Sequence, residues 1–246
     1  MWQQLKDEIR NRQKILDEEI ERWIADYRRQ GGRIYCRAGC RHCCDLAVHA
    51  TMGEALLVAE ALSGGQRRAL HEHVASRLYP VADIPDLKTY LRAHRQKVGF
   101  CPFLEQDGRC GVHAVRPFSC RALLSTRPGE WCGTDFSTLH PLEKEAFLGS
   151  LDRSVVDFPV HYVAETKDLG LELEAATAWE MRERFGFSLS GNLALLIHLQ
   201  DEHDLAGLVP RGPEAVSEYL HAQGLSRLPL VSLSAGSNTM SRGGLR

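Results

Sequence analysis

The eight cysteines of this chain fall in two groups, and that grouping limits what it can fold into. Cys36, Cys40, Cys43 and Cys44 crowd the stretch 36–44; Cys101, Cys110, Cys120 and Cys132 follow after a long gap. The compartment decides how to read them. The leading residues MWQQLKDEIRNRQK hold no apolar stretch of signal-peptide type, and no run reaches transmembrane length. The expected location is therefore the cytoplasm, where disulfides are rare and clustered thiols read first as metal ligands or redox groups. Buried thiols or disulfides are the bland alternative.

Thiolates are soft anionic donors suited to zinc and to iron. Short spacings with Gly39 among them let several sulfurs converge without straining the backbone. Neither group makes an ordinary zinc ribbon alone, so the expected site is a joint one, stapling two distant loops. Its ligands are Cys36, Cys40, Cys43, Cys44, Cys101, Cys110 and Cys120. Neighbouring side chains usually point apart, so adjacent Cys43 and Cys44 are not both expected to serve one mononuclear ion. Seven thiols exceed the four that one tetrahedral zinc needs; a polynuclear iron–sulfur cluster or two zinc ions would use the surplus, which favours a cluster, of [4Fe–4S] type, over a single zinc. Cys132, between Trp131 and Gly133, reads equally as a packed thiol or a ligand.

The motifs CRAGCRHCC, then CPFL at 101–104, then CGVHAVRPFSCR at 110–121 resemble the YkgJ-type cysteine-cluster family, the zinc- or iron-chelating CxxCxxCC domain. The resemblance covers residues 33 to 125. The family usually carries Tyr where this chain has His113, which makes His113 a candidate extra ligand. The resemblance implies a metal centre of iron–sulfur or zinc type. One branch of the family resembles flagellin lysine N-methylases, which brings in an S-adenosylmethionine-linked protein-modifying enzyme as a second reading. A zinc-stapled interaction module is the third.

The rest of the chain reads as helix, giving a mostly α fold with two cysteine-rich irregular loops forming a metal site. Trp2, Leu5, Ile9, Leu16, Ile20, Trp23 and Tyr27 recur at helical spacing until Gly31 and Gly32. This N-terminal amphipathic helix (1–32) either packs on the body or receives a protein partner. A cysteine-cluster domain follows at 33–136. In it Thr51 with Glu54 and Ser63 with Gln66 form capping boxes, and Asp86 caps a further helix. The C-terminal region, 137–233, carries helices near 138–150, 171–184, 190–202 and 213–223, and a short strand at Val155–Val163. The polar Gly/Ser-rich tail, 234–246, reads as disordered.

Several weaker signals compete. Cys36-x3-Cys40-x2-Cys43 has the spacing of radical S-adenosylmethionine enzymes, but the alternating strands and helices of their partial barrel are missing from the pattern. Arg116 and Arg121 flank Cys120, either to stabilise an anionic thiolate centre or to hold a turn by pairing with helices. His42 lies inside the first group as a possible ligand. Asp45 and Glu54 make no convincing general base. The other histidines, among them His71, His73, His94, His140, His161, His198 and His203, are scattered, with no HExxH pair. SGGQ at 63–66 reads as a helix cap, since no P-loop accompanies it. No catalytic residue is nominated. Thirty Lys+Arg against 32 Asp+Glu favour neither nucleic acid nor an anionic membrane as partner.

Overall fold

A computed structural model describes residues 1–225 and 230–235. It is 60% helical, so the mostly α expectation holds. The elements are α1 (Trp2–Arg29), β1 (His49–Thr51), α2 (Met52–Ala61), α3 (Gly64–His73), α4 (Leu87–Ala93), α5 (Phe118–Ala122), α6 (Glu130–Gly133), α7 (Pro141–Gly149), α8 (Ala164–Phe185), β2 (Phe187–Asn192), α9 (Leu193–His203), α10 (Leu205–Leu208), α11 (Pro213–Ala222) and β3 (Val231–Ala235). Wider π turns carry α3 on to Leu78 and α4 on to Val98.

The centre of the body is α2 against α9. Met52 to Ala59 are all buried, as are Leu193 to Ile197 and Leu199. A helix apolar all round has to lie inside. Both helices start on strong caps. Thr51 Oγ1 accepts the Glu54 N–H at 3.3 Å while Glu54 Oε2 accepts from the Thr51 N–H at 2.8 Å. Asn192 Oδ1 accepts the Leu195 N–H at 3.2 Å. The Ser63–Gln66 box and the Asp86 cap are present as read from the sequence, which leaves SGGQ as a helix start.

In α1, Leu5, Ile9, Gln13, Leu16 and Ile20 form one buried stripe against α8, α2 and α5. The apolar face of the N-terminal helix is thus covered by the chain's own core, which supports the packed reading. Ion pairs Arg12–Glu180 and Arg184–Glu8 hold α1 to α8 along its polar flank. One core cluster runs from Leu5 to Val231, and a small second cluster of Phe147, Leu151 and Val156 lies under Trp131 and Phe136.

A three-stranded antiparallel sheet, order β1-β2-β3, was not anticipated. Ala50 pairs with Gly191, and Leu189 with Leu233. The helix expected over 190–202 therefore starts at Leu193, because Ser190, Gly191 and Asn192 are held between two strands. The strand expected at Val155–Val163 is absent. Single bridges join Val156 to Val163 and Ser125 to Tyr162, and between them the chain turns, with the Asp157 N–H on the Tyr162 carbonyl at 2.9 Å. Pro159 lies in that stretch and has no N–H to give a ladder. Of the tail read as disordered, Ser234 and Ala235 end β3, and 236–246 lies outside the described residues. Among the described residues, no helix is long and apolar enough to cross a membrane.

Candidate metal centre

The first cysteine loop is a run of tight turns. Cys40 N–H bonds the Arg37 carbonyl at 3.0 Å, Cys44 N–H the Arg41 carbonyl at 3.0 Å, and Gly39 takes a φ of +80°. The second loop doubles back on itself. Leu104 bridges Cys110, the Glu105 N–H reaches the Arg109 carbonyl at 2.8 Å, and Gly108 turns the tip at φ +83°. The two loops meet in two places. The Cys101 N–H donates to the Cys44 carbonyl at 2.7 Å. At the tip, a Cβ on Gly108 would stand 2.8 Å from the Gly39 carbonyl oxygen, so backbone lies directly on backbone. The two loops therefore lie backbone against backbone.

Cys120 arrives on α5, which is anchored from three sides. The α5 N-terminus gives its Phe118 N–H to Glu54 Oε1 at 2.8 Å. Thr166 Oγ1 of α8 donates to the Ala122 carbonyl at 2.9 Å. Arg121 is buried, and its guanidinium bonds the Arg116 carbonyl at 2.8 Å, the Ala114 carbonyl at 2.5 Å and Asp17 of α1. These partners engage every nitrogen of the guanidinium, so the structural role of Arg121 prevails over a direct one at the thiols. Glu54 caps one helix and positions the next. Fully buried, its carboxyl is pushed up to about 7, by burial first and then by Glu174.

Burial pushes the Cys101 and Cys120 thiols up to about 12. Cys101 also faces Cys120, Cys110 and Cys43, and Cys120 faces Cys43 and Cys110. Cys43 is raised chiefly by its hydrogen bond with the Cys44 thiol, then by burial. Cys36 is raised to about 11 by burial against the lowering effect of the Ser125 N–H, which bonds its sulfur at 3.2 Å, and its thiol neighbours are Cys43, Cys132 and Cys40. Cys43 thus interacts electrostatically with Cys36 of the first loop and with Cys101 and Cys120 of the second group. Metal binding has to displace the protons these thiols hold.

Sequence reasoning left Cys132 open. It lies on α6, buried, with its sulfur 3.3 Å from His161 Nε2, on the Cys36–Cys40 side of the cluster. His161 is lowered to about 4 by burial, then by Arg127 and Arg95. His42 packs against the backbone of the same segment, its Cδ2 only 2.6 Å from where a Gly129 Cβ would be. His113 is exposed on a short turn, lowered by burial and by Arg116 and Arg121. Asp45 pairs with Arg95 at 3.3 Å, and Arg95 also reaches the Cys132 carbonyl, which ties the first loop to α6. No sequence signal marked Arg95, because its partners are carbonyls and a carboxylate distant in the chain.

Among the described residues, no group of three or more His, Cys, Asp or Glu side chains is drawn in to coordinating distance. The donor chemistry nonetheless fits a soft or borderline metal. One further observation fits it: Arg116 Nε is buried with no hydrogen-bond partner, and its charge favours the thiolate forms of Cys43 and Cys120. Anionic sulfur bound to metal is what such a cation complements.

These features describe a cysteine-rich domain carried on a helical body. Residues 35–135 match the model of the CxxCxxCC family, described as "Putative zinc- or iron-chelating domain", the same family as the YkgJ-type proteins. The family match supports metal binding, with zinc or iron as the metal. No curated protein and no solved structure matches the chain.

Proposed function

We propose that this protein holds an iron–sulfur centre of [4Fe–4S] type between its two cysteine loops, with ligands drawn from Cys36, Cys40, Cys43, Cys44, Cys101, Cys110 and Cys120. The observation that carries this reading is the direct backbone contact of the loops, from the Cys101 N–H to the Cys44 carbonyl at 2.7 Å. It lets thiols far apart in sequence serve one centre. A surplus of thiols, with the free Cys43 and Cys44 thiols hydrogen-bonded to each other, suits a polynuclear group better than one tetrahedral ion. When bound, such a group supplies either one-electron transfer or a structural staple.

The chain's own residues support the centre in distinct ways. Glu54 and Arg121 fix α5 and with it Cys120. Arg95 and Asp45 hold α6 against the first loop. Arg116 supplies positive charge beside Cys43 and Cys120, its buried Nε having no hydrogen-bond partner among the described residues.

The test is anaerobic purification with quantification of iron, zinc and acid-labile sulfide. Brown protein with matched iron and sulfide is expected. Stoichiometric zinc without sulfide would overturn the iron–sulfur part of the reading. Cys40→Ser and Cys120→Ser should each abolish metal binding, and metal retained by both variants would refute a centre shared by the two loops.

A further inference from the structure

The face between α3 and α9, outside the cysteine loops, gathers a second set of metal-type donors. Leu70 is the residue that α3 buries, which leaves His71 at the edge of the interface with α9. On α9, His198, Asp201 and Glu202 stand at i, i+3 and i+4, so the three share one side of the helix. The helices bring His71 Nδ1 to 2.7 Å from His198 Nδ1. Glu202 Oε1 lies 3.6 Å from the same His71 nitrogen. A second imidazole nitrogen and a carboxylate oxygen thus both approach His71 Nδ1. These side chains are reachable from solvent, since Glu202 is 52% exposed and His71 27%.

The other nitrogen of His71 is also accounted for. His71 Nε2 stands 3.4 Å from Asp201 Oδ2. That oxygen is buried and has no hydrogen-bond partner, while Oδ1 of the same carboxylate is held by Arg67. A proton on Nε2 gives Oδ2 its missing donor and leaves Nδ1 as a lone-pair donor facing His198 and Glu202. A carboxylate behind a histidine, fixing the tautomer so that the far nitrogen can bind metal, is the recurrent support of histidine ligands. Tyr79 meets the His198 ring edge-on, with centroids 5.8 Å apart, and limits its rotation.

We infer that His71, His198 and Glu202 form a thiol-free binding site for a divalent transition-metal ion of the zinc, copper or nickel class, with Asp201 positioning His71. Imidazole nitrogen with one carboxylate selects these ions over calcium or magnesium. The donors stand as a hydrogen-bonded set rather than a closed site. Two nitrogens on one tetrahedral ion at about 2.0–2.1 Å are about 3.3 Å apart, so the rings must part by roughly 0.6 Å from their 2.7 Å contact and Glu202 must swing inward. Partly exposed side chains at a helix edge permit both movements. The competing account is a histidine pair that shares a proton and binds nothing.

The experiment titrates the purified protein, with whatever metal its cysteines hold left in place, with Co2+ alone. Calorimetry and visible absorption are the readouts. One additional equivalent is expected, with d–d bands of nitrogen and oxygen ligation and no thiolate charge-transfer band. His71→Ala and His198→Ala should each weaken this equivalent at least tenfold, and Asp201→Asn by about 10–100-fold. Glu202→Gln, at a half-exposed position where folding is not at risk, should also weaken it. Exposed Glu72→Gln should leave it unchanged. Absence of the additional equivalent overturns the inference, as does equal affinity in the histidine variants or a thiolate band accompanying the added metal. Because the readout involves no sulfur, it stands or falls independently of the cysteine centre.

Discussion

Replacing Gly108 with alanine probes the contact on which the joint centre depends, and Gly186 supplies the control. Both glycines lie in the left-handed region, at φ +83° and +82°. An L side chain there costs about 1–2 kcal/mol, partly offset by about 0.4–1 kcal/mol from the stiffer unfolded chain. Those contributions are common to the two sites. The surroundings are not. A Cβ on Gly186 meets nothing within 4 Å, whereas one on Gly108 stands 2.8 Å from the Gly39 carbonyl oxygen and 3.5 Å from its carbonyl carbon. Backbone has to move to admit it, and overpacking of this kind costs about 1–3 kcal/mol. Gly108→Ala should therefore be less stable than Gly186→Ala by at least about 1 kcal/mol, an extra fall in Tm of about 2–4 °C. Urea denaturation of the metal-free variants measures the difference. Gly39 lies between Cys36 and Cys40, so the same displacement should lower the metal retained per chain in Gly108→Ala alone. Equal stability losses in the two variants, or undiminished metal in the Gly108 variant, would refute the loop-on-loop account.

Three further outcomes follow from the same geometry. Glu54 is raised to about 7 from 4.5, so between those values the folded chain keeps a proton that the unfolded chain has lost. Stability should fall by about 3 kcal/mol as pH climbs through that window and then level off; Glu54→Gln should flatten the slope, and an unchanged slope in denaturation against pH would count against it. Arg121→Ala leaves the part-buried carbonyls of Arg116 and Ala114 without their donor and should cost about 1–3 kcal/mol, whereas a loss under about 0.5 kcal/mol in the same assay would deny it an anchoring role. On α1, Leu16→Ala should cost about 2–5 kcal/mol and its exposed neighbour Ile15→Ala less than about 0.5 kcal/mol; similar thermal shifts would mean that the buried stripe is misassigned.

Helix starts were legible because they are local. Thr51 with Glu54 and Ser63 with Gln66 need only three residues to close their boxes, and the stripe of α1 is a periodicity within one helix. The sheet was not legible. His49–Thr51 carries three residues, and its partner lies beyond residue 186, so no local pattern distinguishes it from loop. The strand read at Val155–Val163 failed for the reverse reason: a run of apolar residues imitated a strand where Pro159 and a turn interrupt any ladder.

At the cysteine site the division is similar. Thiol spacing alone announced a chelating domain, because residue type fixes donor chemistry and Gly39 permits the turn. Only the tertiary structure decided that Gly108 seats on Gly39, that Arg121 serves the fold, and that Arg116 leaves a buried nitrogen unpaired beside the sulfurs. Only it, too, brought His71 onto His198, two histidines that look scattered in the chain. The physical reason is common to all of these. A residue's chemistry is set by its side chain and its local turn by its neighbours, but burial, charge and partners are set by helices that meet from distant parts of the sequence.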